Sequence, residues 1–174
     1  MDSIIGLDIG SHSIKLVEIE RRKDEAILLA TGSIPTPPKV LLSANPEDIE
    51  SIAMVIKKLW NETGAHTKNV NIALPESQVF TRVIEVPQLS DRELTSAIKW
   101  EAEQYIPMPL DQVTVDFTIL RDSRETGTNK MEVLLVASPK TLVEKYVTIL
   151  EYADLIPVAV ETEIIAASRA LIRT

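Results

Sequence analysis

A chain of 174 residues, 45% hydrophobic and 25% charged, can bury one substantial core or two small ones and is too apolar to stay disordered. Its formal net charge of −8, with the basic residues scattered, opposes any general affinity for nucleic acid or anionic lipid, since both need clustered cations. Without cysteine there are no disulfides or thiolate metal sites, and no apolar run approaches the ~20 residues of a membrane helix, so the chain is expected in the cytosol, not spanning a bilayer.

Taken in order, Ile4, Ile5, Leu7 and Ile9 form a near-continuous run that predicts a strand buried on both faces, and Ile14, Leu16, Val17 and Ile19 begin a second. Between them lie Asp8, Gly10, Ser11, His12, Ser13 and Lys15. A turn with glycine and two hydroxyls leaves backbone N–H groups free to converge on an anion, and the lysine adds a mobile positive charge. Gly10-Ser11 could equally just close a hairpin. Asp8 argues for more, because an acid ending an apolar strand needs a hydrogen bond or a cation, and Lys15 reaches the same turn from the return strand. Neither GxxxxGK[ST] nor GxGxxG is present, and a strand follows instead of a helix.

Glu25 to Ser33 predicts a third strand after the charged turn Arg21-Arg22-Lys23-Asp24. Pro35, Pro37 and Pro38 then make Ile34 to Ser43 an exposed connector. Asn45 as a side-chain cap, Pro46 and two acids open a helix that carries Ile49, Ile52, Ala53, Ile56, Leu59 and Trp60 at helical spacing and stops at Gly64. A strand, Val70 to Leu74, follows. His12 and His66 stand apart from other ligand types, which fits surface roles better than metal binding.

Val79 to Val86 predicts a strand closed by Pro87, and Ser90-Asp91-Arg92-Glu93 has the form of a capping box opening a helix to about Ile106. Leu94, Ile98, Ala102 and Tyr105 form one stripe of it. Trp100 lies on the far side, needing either the first subdomain or a partner peptide to cover it. Val113 to Ile119 alternates as a half-buried strand, Arg121 to Lys130 is a polar loop, and Met131 to Ala137 is its antiparallel partner. A helix from Ser138-Pro139, a strand from Ile156 to Val160 and a helix from Glu161 to Ile172 complete the chain. This order sets domain bounds of 1–78, an inserted α+β unit at 79–155, and a return at 156–174.

The run Asp8-Ile9-Gly10-Ser11-His12-Ser13-Ile14-Lys15 resembles the first phosphate motif of the actin, heat-shock-70 and sugar-kinase superfamily. With Trp100 to Leu110 and Val113 to Phe117, the chain is similar to the first half of the PilM family of type IV pilus assembly proteins, relatives of FtsA. The resemblance implies an actin-like, ribonuclease H-like subdomain 1A with an inserted subdomain 1C, the second lobe being absent. It implies ATP and Mg2+ as ligands: amides of Gly10, Ser11, His12 and Ser13, the hydroxyls of Ser11 and Ser13, and Lys15 on the phosphates, with Asp8 holding the metal through water. Glu161 would orient an attacking water, or else cap the last helix. Other implications are the cytoplasmic N-terminal tail of PilN as partner, indirect coupling to the pilus motor ATPases, a place at the inner membrane through PilN, weak binding without turnover, and self-association. An FtsA-like filament protein and a sugar-kinase-type phosphotransferase are the rival readings.

Overall fold

A computed structural model describes residues 3–23, 25–38, 43 and 45–171; the positions expected to form parts of turns or helix ends at 24, 39–42 and 172 lie outside them. Strands β1 (Ser3–Ile9), β2 (Ser13–Arg22) and β3 (Glu25–Pro35) form an antiparallel meander, with Asp8 opposite Lys15 and Ile9 opposite Ile14. The strand β1 buries Ile5, Leu7 and Ile9, whereas Gly6 is exposed and Ile4 and Asp8 are half-buried. Its apolar run is therefore closed on one face only, a correction to the expectation of burial on both.

Helix α1 (Pro46–Thr63) buries Ile52, Ala53, Ile56 and Leu59 and lies against β2 and β3. Each fully buried Ile or Leu contributes about 1.5–3 kcal/mol of transfer free energy. The Asn45 side chain makes no cap bond; its carbonyl instead accepts the N–H groups of Asp48 and Ile49, and Pro46 fixes the first turn. Gly64 ends the helix at φ 69°, as its permissive backbone allows. Close approach of α1 to the sheet depends on Gly32, where a Cβ would lie 2.4 Å from Thr63 Cγ2 and 3.1 Å from Leu59 Cδ1. Gly32→Ala is accordingly expected to lower stability by about 1–3 kcal/mol. A urea midpoint equal to that of the parent chain would show that this contact does not limit packing.

Strand β4 (Asn69–Leu74) pairs parallel with β1, and β8 (Ile156–Thr162) pairs parallel with β4, giving the order β3-β2-β1-β4-β8. Parallel neighbours need a crossover connection, and α4 (Lys140–Tyr152) supplies it, burying Tyr146, Ile149 and Leu150. This topological demand explains why the compact units are 1–76 with 143–174 and, separately, 77–142. Most of α4 thus belongs with the five-stranded sheet, where the sequence-based bounds had grouped it with the insert up to 155. Helix α5 (Glu163–Leu171) follows β8.

The inserted unit is a three-stranded antiparallel sheet, β5 (Phe80–Pro87), β7 (Lys130–Pro139) and β6 (Val113–Arg121) in spatial order, with α2 (Asp91–Tyr105) and the short α3 (Ser123–Thr126). The capping box forms: the Glu93 carboxylate accepts the Ser90 N–H at 3.0 Å and its hydroxyl at 2.6 Å. Leu94, Ile98 and Ala102 enter the core with Ile84, Val86, Met131, Val133 and Leu135. Tyr105 does not; Ile106 takes the last core position, and Tyr105 carries the Arg82 guanidinium 4.0 Å above its ring. Trp100 is 74% exposed.

Candidate functional site

The turn between β1 and β2 opens on a cavity of about 580 Å³ lined by Asp8, Gly10, Ser11, His12, Ser13, Lys15, Ala73, Glu163 and Ala166. All six residues that the sequence singled out, Asp8 for a metal and Gly10, Ser11, His12, Ser13 and Lys15 for phosphates, line this cavity. The hairpin register places Asp8 and Lys15 side by side, and Lys15 Nζ donates to Asp8 Oδ2 at 2.8 Å. That hydrogen bond, then the Asp8 charge and more weakly that of Glu163, raise the Lys15 pKa. The ammonium therefore stays charged throughout the physiological range.

Backbone groups of the turn are unequally available. The Gly10 N–H is already donated to the Ser13 carbonyl at 3.2 Å, so the amides on offer to an anion are those of Ser11, His12 and Ser13. A Cβ on residue 10 would stand 3.0 Å from the Ser13 carbonyl oxygen and 3.8 Å from both Asp8 carboxylate oxygens, so glycine keeps this cradle open. The Ser11 hydroxyl is 2.9 Å from His12 Nδ1.

Glu161 is found elsewhere. It lies within β8, opposite Ala73 in register, and its carboxylate accepts Arg169 Nη1 at 2.7 Å. The strand runs two residues further than its apolar pattern implies, Thr162 is buried, and Thr162 Oγ1 accepts the Ile165 N–H at 3.3 Å as an N-cap. Helix α5 consequently starts at Glu163, and it is Glu163 that lines the cavity. The T-E-I-I sequence, a hydroxyl followed by an acid and an apolar pair, is the signal that fixes this start. Tyr146 on α4 is another residue without a sequence signature: burial first, then the charges of Glu163 and Asp8, push its phenol up to about 12. Thr36 is the third, buried at the end of the meander although its proline-rich surroundings predict exposure.

The cavity presents carboxylates at Asp8 and Glu163 against one lysine. A bare polyphosphate would meet repulsion, whereas one carrying a divalent cation would not. The residues present thus fit a magnesium-bound phosphate: few carboxylates, hydroxyls, free amides and a single mobile cation.

The sequence profile of the family described as "Type IV pilus assembly protein PilM" matches residues 6–174. The chain belongs to the PilM family. Among solved structures, the PilM of a "PilM-PilN type IV pilus biogenesis complex" is 32% identical with a TM-score of 0.86, the match covering 97% of this chain and 49% of that one. This PilM-family chain hence spans about half the length of that relative. The cytoplasmic domain of EpsL, an inner membrane component of the type II secretion system of Vibrio cholerae, matches at 15% identity and a TM-score of 0.57, over 95% of this chain and 59% of its own. Both neighbours have the actin-like ATPase fold, which is the fold of this PilM-family chain, an α/β unit carrying an α+β insertion. No helix among the described residues is long and apolar enough to cross a membrane.

Proposed function

We propose that this chain is an actin-like, nucleotide-binding scaffold of the type IV pilus platform, that it grips the cytoplasmic N-terminal tail of PilN, and that it works on the cytoplasmic side of the inner membrane. The observation that carries this is the 32% identity sustained over 97% of the chain with a PilM solved together with PilN. In this reading the unit made of 1–76 and 143–174 is subdomain 1A and the inserted unit is 1C. The amides of Ser11, His12 and Ser13, the two serine hydroxyls and Lys15 hold the phosphates of ATP, and Asp8 with Glu163 faces the magnesium ion. The cation would supply charge neutralisation of the phosphates; the chain supplies their orientation.

Binding, not turnover, is the activity assigned to these residues. Glu161, the residue expected to orient an attacking water, is engaged by Arg169, so it serves catalysis only once that pair opens. Coupling to the motor ATPases is indirect, through the tail of PilN.

Calorimetry with a synthetic PilN tail peptide, with and without Mg-ATP, tests the reading. Trp60 donates its indole N–H to the Thr67 carbonyl at 2.9 Å, which leaves the exposed Trp100 as the fluorescence reporter for a peptide. The expected result is a dissociation constant of roughly micromolar size that shifts with nucleotide, and a change in tryptophan emission. Absence of heat and of any emission change would refute peptide binding by this chain.

A further inference from the structure

We propose that Thr36 is a positioning residue of the phosphate turn, taking the Gly10 carbonyl on its hydroxyl and thereby releasing the Ser13 N–H for a bound anion; the inference rests on the nucleotide reading above. Strands β1 and β2 are joined across Ser11 and His12, with Gly10 and Ser13 facing each other. Short hairpins of this length normally close by two bonds between the flanking residues, in a primed turn that needs positive φ at one or both central residues. Here none of residues 10–13 has positive φ. Only one closing bond forms, from the Gly10 N–H to the Ser13 carbonyl.

The other acceptor, the Gly10 carbonyl, is bound instead by Thr36 Oγ1 at 2.6 Å. Thr36 also donates its N–H to the His12 carbonyl at 3.0 Å. Two carbonyls of the turn, those of Gly10 and His12, are therefore anchored to one residue at the end of the neighbouring strand. Thr36 is 9% exposed, so water does not readily replace these bonds. Pro35 cannot donate, which makes Thr36 the first residue past the strand that can. A turn of this shape would otherwise splay, and its hydroxyl brace holds it open with the Ser13 amide uncommitted.

Thr36→Val keeps the branched shape and the backbone N–H but removes the hydroxyl; Thr36→Ser keeps the hydroxyl. The expected outcome, by calorimetry with Mg-ADP, is an affinity about tenfold weaker for Thr36→Val and one within about twofold of the parent for Thr36→Ser. In a ¹⁵N NMR titration of the parent chain with Mg-ADP, the Ser13 amide is expected among the largest shifts. Equal affinity of Thr36→Val and parent overturns the proposal, as does a Ser13 amide that stays still while those of Ser11 and His12 move. If Thr36→Val does not fold, the NMR titration decides alone. A parent chain that binds no nucleotide by either method refutes the nucleotide reading itself, and this inference with it, which separates the two failures.

Discussion

Lys15→Ala is expected to weaken Mg-ADP binding by about tenfold to a hundredfold while leaving thermal stability nearly unchanged. The two effects separate because of where the side chain sits. The Lys15 side chain is 58% exposed and that of Asp8 35%, so their ion pair contributes less than about 1 kcal/mol to folding. Toward a phosphate the same ammonium would act as a charge-assisted donor inside the cavity. Asp8→Asn gives the complementary result, with a sign that depends on metal. In EDTA, removing one of the carboxylates that line the site reduces repulsion and strengthens ADP binding; in excess magnesium, removing a metal-facing group weakens it. Titration of a fluorescent ADP analogue under both conditions measures this crossing. Two variants that behave like the parent in both buffers would show that the turn is not where nucleotide binds.

The second large effect concerns folding. Glu18 on β2 is fully buried, yet its carboxylate accepts the Ser3 hydroxyl at 2.7 Å, the His66 N–H at 2.8 Å and the Thr67 N–H at 3.3 Å. Burial alone would raise its pKa; the bonds from His66, Ser3 and Thr67 and the nearby His66 ring outweigh that and hold it below the ordinary 4.5. Glu18→Ala leaves these donors without an acceptor and is expected to cost about 3 kcal/mol, or roughly 6–12 °C in Tm for a chain of this size. The pH dependence follows from the depressed value. The stabilisation is fully present above pH 4.5 and is lost as pH falls through the lower folded pKa. Glu18→Gln, unable to titrate, is expected to show lower stability at pH 7 and a shallower loss between pH 4.5 and more acidic values. Parallel acid-unfolding curves for parent and Glu18→Gln would contradict this assignment.

Much of the turn was legible because its information is local. Asp8, Gly10 and Lys15 are fixed by the hairpin register, which follows from the apolar alternation of Ile5, Leu7 and Ile9 against Ile14 and Leu16. Helices α1 and α2 were legible for the same reason: Pro46, Gly64 and the Ser90–Glu93 box act within a few residues of themselves. Glu163 was not legible, since the strand-to-helix boundary shifts by two residues depending on how far β4 carries β8 along with it. Nor was Thr36, whose partners at Gly10 and His12 lie over 20 residues back in the chain.

Sequence by itself determined most of the elements, the meeting of Asp8, Gly10 and Lys15 at one turn and membership of the PilM family, because periodicity, caps and a short motif are encoded within a few residues. Tertiary structure alone decided which acid faces the cavity, which helix crosses between β4 and β8, and which side chain bonds the Gly10 carbonyl. Those are properties of parallel pairing and of side chains meeting across strands, and a parallel ladder joins residues whose separation along the chain leaves no periodic trace.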